Sequence, residues 1–367
     1  MRLFGREEIN TSRQFEFDMA KAVCILGMVF VHCFEALSAE SADDGPAYYI
    51  MVIVLDAIFG AGTFMASMGI GIAYSWKNDA DKLIRRGIRI FLLGYLLNIV
   101  RDAIPQTILW LVGKAETDDI LISLFCTDIM PFAGLALLLF GLLKKAKLSD
   151  LWVLIVALAM SAAGSFIRFL DIGHFVANDI AGVIFGTFDP ISEDTVAAFP
   201  LLNWFIIVVA GYLYGNLLRR CTNKDRYYAI ALPVSGIILA VYIAIAIPTR
   251  LGMLNGELIS YYQMTTPEAV ILLVGAVFAT SIYYYLGKLF NEKTKAFITR
   301  MSANLNSIYC IHWVIIGWTC FFFVLADYDG LGGGAVFAVG VVLFIVANVL
   351  AAQWKKYKKN KQAPAKA

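Results

Sequence analysis

His32 closes the first long apolar run of this chain, which holds only three histidines in 367 residues. An ionisable side chain at membrane depth is costly, which makes it a functional candidate. Lys21 shares its helical face: eleven residues at about 100° each come within roughly 20° of three full turns. Asp18 stands three residues before Lys21 and Glu35 three residues after His32, at the spacing of neighbours on a helix surface. At about 1.5 Å per residue, His32 lies roughly 20 Å along the helix from Asp18. The stripe therefore carries a cation at one end, an imidazole farther along it and a carboxylate beside each. An imidazole so placed can take a proton, and Glu35 can orient its ring. The plainer alternative is a packing stripe with a snorkelling lysine and an interfacial histidine.

Four further constellations carry polar chemistry. Arg85, Arg86 and Arg89 occupy consecutive turns after Asp81 and Lys82; guanidinium forks grip phosphates in pairs of hydrogen bonds, although a basic anchor at a span end has the same composition. In Thr127-Asp128-Ile129-Met130-Pro131-Phe132 a carboxylate meets a proline inside an apolar run, a combination that breaks a helix and is tolerated where the freed backbone lines a cavity. Phe199-Pro200-Leu201-Leu202-Asn203-Trp204 opens a later run, where Asn203 could cap the helix or contact a ligand. In Asn304-Leu305-Asn306-Ser307-Ile308-Tyr309-Cys310-Ile311-His312-Trp313, the residues Asn306, Tyr309 and Trp313 share a face and His312 lies within the run. Polar groups there could line a cavity or tie helices together.

The elements that position these groups are membrane helices. The chain is 60% hydrophobic with 16% charged residues, more apolar surface than one soluble core can bury. Ten runs near 19–38, 48–75, 89–112, 120–143, 151–170, 198–218, 228–248, 268–290, 304–326 and 335–354 are long enough to span a bilayer. The expected fold is all-α, a polytopic integral membrane helical bundle with about ten transmembrane helices. Of the 30 Lys and Arg, all but Lys21, Arg101, Lys114, Arg168 and Arg250 fall in alternate connectors and the two ends. The positive-inside rule then places both termini in the cytoplasm. Residues 1–354 read as one transmembrane domain and 355–367 as a basic cytoplasmic tail. The longest outer connector, about 171–197, has the length of a binding element. No cleaved leader is expected, because no small-residue cleavage pattern follows the first run. The net charge of +2 gives no reason to expect nucleic acid. The six scattered cysteines suggest neither a disulfide framework nor a metal site, and nucleotide-loop and zinc-helix motifs are missing.

In this order the motifs resemble the transmembrane acyltransferase superfamily, which includes bacterial polysaccharide O-acetyltransferases and heparan-α-glucosaminide N-acetyltransferase. Asp18, the interval ending at His32 and the Arg85-Arg86…Arg89 cluster look like its first-span and second-loop signatures. Thr127-Asp128…Gly134 and Phe199-Pro200-Leu201-Leu202-Asn203-Trp204 are closer to the heparan branch, and Asn306 to His312 is similar to a late-span pattern. The resemblance covers roughly residues 13–320. Lys21 stands where the family usually has Arg, and His32 fits the polysaccharide O-acetyltransferase position.

The resemblance implies an acetyl-CoA donor approaching from the cytoplasm, its phosphates on Arg85, Arg86, Arg89 and Lys21, with no metal. It implies an extracytoplasmic sugar or glycan acceptor, His32 as general base or acyl carrier, and Asp18, Asp128 and Glu35 as acid/base or orienting partners. Asn203, Asn306 and His312 would line the cavity or stabilise an oxyanion. The expected location is the cell membrane, and a homo-oligomer is compatible with the sequence. The competing readings are a transporter or flippase of a small or lipid-linked solute, against which the two halves show no similarity, and a non-catalytic sensor, which would lack a soluble output domain.

Overall fold

The computed structural model describes residues 3–39, 60–75, 78–188, 198–255 and 258–362. Among them the regular elements are helical, with three isolated bridges and no strand. In chain order they are α1 (Phe15–Leu37), α2 (Ala61–Tyr74), α3 (Ala80–Asn98), a π turn (Ile99–Ala103), α4 (Ile104–Leu111), α5 (Thr117–Phe125), α6 (Ile129–Lys145) and α7 (Asp150–Phe166). There follow α8 (Phe175–Gly182), α9 (Leu201–Arg219), α10 (Lys224–Thr249), α11 (Leu258–Tyr262), α12 (Thr266–Leu289), α13 (Glu292–Leu325) and α14 (Gly333–Gln362).

Seven helices are long and apolar enough to cross a membrane: α1, α5 with α6 taken together, α9, α10, α12, α13 and α14. Of the other three expected spans, the second is described only from Gly60 and the fifth is 17 residues long. The third begins at Ala80 rather than near 89, and it runs through the π turn with Arg101 and Asp102 in its middle. The lipid-facing character is visible in α10, where Ile230, Val234, Ile237, Val241 and Ile245 form an exposed stripe at helical spacing. The expected outer connector is not a bare loop over its described part. It contains α8, and Asn178 donates to Asp171 at 3.0 Å, a bond that holds the Asp171 carboxyl below its usual range. Its residues 189–197 lie outside the described set.

α1 is the central helix, packed on α13, α12, α14 and α2, with Ile25 and Val29 fully enclosed. Its N-terminal end is anchored by two buried carboxylates. Glu16 is ion-paired to Lys224 and accepts from the Tyr228 hydroxyl at 3.1 Å. Asp18 takes both branches of Arg13 at 2.5 and 2.8 Å and the Ser302 hydroxyl at 2.8 Å.

The break expected near Pro131 falls at Cys126-Thr127-Asp128, between α5 and α6, and Pro131 sits in the first turn of α6, where a missing N–H costs nothing. Asn98 donates to the carbonyls of Leu124 and Cys126 at 3.3 and 2.8 Å, satisfying the backbone that the break frees. The basic stretch from Lys355 continues α14 as helix.

α3 and α6 pack closely because glycine faces backbone. A Cβ on Gly134 would stand 2.5 Å from the Phe91 nitrogen. Gly134→Ala is therefore expected to lower the melting temperature in detergent, by an overpacking cost of about 1–3 kcal/mol. Gly27→Ala in α1, where a Cβ meets nothing within 4 Å, should leave it level or slightly higher. Equal melting for Gly134→Ala and wild type would contradict this packing.

Candidate active site

The first-helix stripe divides into two places in the structure. Lys21 lines a cavity of about 150 Å3 together with Arg86, Ser67, Ser302, Asn306 and Tyr309. A wider vestibule of about 500 Å3, bordered by Arg13, Gln14, Asp18 and Tyr74, adjoins it through shared Lys21, Gly71 and Ser302. The two form one path, with cations at its mouth and Phe64, Met68, Ile90, Ile129 and Met130 along its walls. Tyr309 marks its deep end.

His32 sits on the other side of Tyr309, and the two rings meet edge to face at 6.1 Å. His32 is half-buried, stacked at 4.2 Å on Trp313, and its Nδ1 lies 2.9 Å from Nε2 of His312. His312 is fully buried, with its Nδ1 3.0 Å from the Ile308 carbonyl. That oxygen can only accept, so Nδ1 of His312 carries a proton. In the neutral pair its Nε2 is then an acceptor, and His32 donates through Nδ1. The lone pair of His32 is left on Nε2, which has no hydrogen-bond partner among the described residues. The arrangement fixes a tautomer and leaves a basic nitrogen.

A buried ion network borders the pair. Arg101 is 4% exposed, donates to Asp128 at 2.9 Å, is ion-paired with Asp102 at 2.7 Å and lies 4.3 Å over the Trp313 ring. Asp128 also accepts from the Tyr309 hydroxyl at 2.6 Å and from the Ile129 amide at 2.5 Å, capping α6. The π turn carries Arg101 and Asp102 inward, and such turns concentrate at functional sites. Gly317 on α13 permits the approach, since a Cβ there would stand 2.1 Å from the Arg101 carbonyl. The Trp318 indole donates to the Val100 carbonyl at 3.1 Å in the same turn.

The candidate residues thus fare unequally in space. Lys21 and Arg86 come together, whereas Arg85 and Arg89 are exposed on α3 and line no part of the cavity. Asp18 stays at the vestibule with Arg13, 14 residues before His32, and does not reach that ring. Glu35 lies one turn beyond His32, half-buried, and the group that holds Nδ1 of His32 is His312 instead. His312 lines no cavity but completes the pair. Asn203 is fully buried in a separate network, donating to the Met264 carbonyl at 2.8 Å. Arg101 is the residue that spacing does not single out for chemistry. A signal for Arg101 exists nonetheless: Arg101-Asp102 is an ionisable pair inside an apolar run.

The family described as an acyltransferase domain matches residues 14–353. No curated protein and no solved structure matches the chain.

Removing the carboxylate of Asp128 leaves Arg101 and the Tyr309 hydroxyl short of a partner. Breaking a buried pair from one side costs roughly 3–5 kcal/mol. Asp128→Ala should accordingly melt well below wild type in detergent, and Asp102→Ala, at a carboxylate 29% exposed, should fall less. An unchanged melting curve for Asp128→Ala would show that the network does not hold these helices together.

Proposed function

The chain belongs to the acyltransferase-domain family, and from that membership we propose that it moves an acyl group, acetyl in the simplest case, from cytoplasmic acyl-CoA to a hydroxyl or amine of an extracytoplasmic sugar or glycan. The observation that carries this reading is the path from the Lys21 and Arg86 mouth to Tyr309, with the His32–His312 pair directly behind that ring. In this reading all ten apolar runs cross the membrane and both termini are cytoplasmic, because the basic connectors lie on the side of the vestibule.

Donor phosphates rest on Arg86 and Lys21, with Arg85 and Arg89 adding positive charge on the same helix. The pantetheine arm follows the apolar wall, and the thioester reaches the region of Tyr309. Nε2 of His32 takes the proton of the acceptor O–H or N–H as the acceptor atom attacks the thioester carbonyl. The C–S bond breaks, and the proton passes from His32 to the leaving thiolate, giving acylated acceptor and free CoA. His312 holds the tautomer that exposes Nε2, the task a carboxylate performs in a Ser-His-Asp triad. Asp128 positions Tyr309 and Arg101. Asp18 orients Arg13 at the mouth and takes no part in proton transfer, while Glu35, one turn outward, is placed to steer the acceptor.

His32→Ala should cut acyl transfer by about 10²–10⁴-fold while acyl-CoA binding, followed by calorimetry, stays at the wild-type level. A variant with wild-type turnover would remove His32 from the mechanism. His312→Ala should lower kcat with KM for the donor unchanged, and His312→Gln, whose Oε1 can accept from His32, should regain much of the rate; equal loss in both would reduce His312 to packing. Arg85→Ala combined with Arg86→Ala should weaken CoA binding and flatten its salt dependence without altering the melting temperature. CoA affinity equal to wild type would rule out the phosphate role.

A further inference from the structure

A second opening takes no part in the transfer path. It lies between α13 and α14, with Leu93 of α3 at its edge, and encloses about 620 Å3. On α14 it is lined by Leu350, Gln353, Trp354, Tyr357 and Lys358, positions that share one helical face. On α13 it is lined by Asn306, Ser307, Cys310 and Ile311. The groove changes character along its length. Lys358, Tyr357, Gln353 and Asn306 stand toward the basic end of the helices, whereas Leu350, Ile311 and Leu93 lie deeper.

Its hydrogen-bonding groups are not engaged by the protein. Asn306, Ser307 and Gln353 make no hydrogen bond to other described residues, and Lys358 makes no ion pair among them. The Lys358 ammonium lies 4.9 Å over the Trp354 ring, and Trp354 and Tyr357 remain 49% and 57% exposed. Tryptophan and tyrosine with an adjoining basic residue are the side chains that settle at the headgroup level of a bilayer. Free polar groups over an apolar floor have the pattern of an amphiphile.

We propose that this groove binds one membrane lipid with an anionic phosphate headgroup, its phosphate at Lys358, its ester and glycerol oxygens at Gln353, Asn306 and Ser307, and an acyl chain along Leu350, Ile311 and Leu93. Asn306 also lines the cavity that ends at Tyr309. A lipid in the groove therefore closes the side of that cavity to loose acyl chains. The site does not depend on the acyltransferase reaction and can be tested without it.

The full chain is reconstituted in nanodiscs of phosphatidylcholine containing a minor fraction of phosphatidylglycerol, released into detergent and weighed by native mass spectrometry. One phosphatidylglycerol should be retained in preference to phosphatidylcholine. Lys358→Gln with Gln353→Leu, and separately Lys358→Glu, should reduce that retention several-fold at unchanged melting temperature. Lys355→Gln with Lys359→Gln removes more charge from the far side of α14, by the roughly 100° advance per residue, and should leave retention intact. Equal loss in this control would mean that tail charge alone recruits the lipid. Equal retention of phosphatidylcholine would remove the phosphate recognition, and displacement by inorganic phosphate or by CoA would reassign the groove to a soluble anion. Each of these three results overturns the proposal.

Discussion

A guanidinium enclosed in a lipid-facing bundle must be paired, and the way Arg101 is paired determines how four elements meet. Its carboxylate partners come from its own π turn and from the cap of α6. The second of these, Asp128, is at once the first hydrogen-bond acceptor of α6 and the anchor of the Tyr309 hydroxyl on α13. Tyr309 and Trp313 then bracket His32 on α1. Arg101 and Tyr309 are buried, so loss of Asp128 leaves an uncompensated charge and dipole in a medium that solvates them poorly. The helix break at residues 126–128, the π turn and the close approach allowed by Gly317 are the backbone irregularities that this pairing requires. Irregular backbone at membrane depth is tolerated where it is buried in protein or lines a water-filled cavity, and Arg101, Ala103 and Thr127 are buried.

The end of the bundle at the start of α1 follows a different rule. Arg13 and Asp18 also form an ion pair, but at the edge of a vestibule, where the Arg13 side chain remains 56% exposed. Such pairs orient more than they stabilise. Here the pair holds the start of α1, and Lys21 faces the cavity. The path therefore has a wet, cationic mouth and an apolar wall, and it closes on a polar cluster, a gradient suited to a substrate with a charged head and a neutral reactive end.

Much of the helical layout is legible in the sequence, because runs of about 20 apolar residues have few alternatives in lipid. The stripe of α1 is legible too, since two positions eleven apart share a face whatever surrounds them. Arg101 escapes notice because the charge pattern sets it aside as one of five basic residues outside the alternate connectors; the helix starts at Ala80, despite four basic residues in its first turns, and its π turn carries Arg101 into the bundle. A π turn adds one residue without any compositional mark. The contact between His32 and His312 joins positions 280 apart, and no local pattern encodes it. Asn203 is the opposite case: an amide in an apolar run suggests a cavity, but the protein itself supplies its partner, the Met264 carbonyl.

The use of a histidine rather than a carboxylate to orient His32 follows from where the pair sits. A carboxylate next to that ring would be a further charge at membrane depth, needing a partner of its own. A neutral imidazole accepts the same hydrogen bond with no net charge, and the Ile308 carbonyl, one turn back on the same helix, is enough to set its tautomer. The charge that the proposed transfer develops on His32 is met from a distance. Arg101, with Asp102 and Asp128 as its partners, is held in place before the reaction and adjoins the ring through Tyr309 and Trp313. Stabilisation of that kind needs no rearrangement when the charge appears, which is the condition under which fixed dipoles and ions lower a barrier most. The site thus pairs its two histidines with each other and its guanidinium with carboxylates, so that the polar groups meet one another rather than lipid.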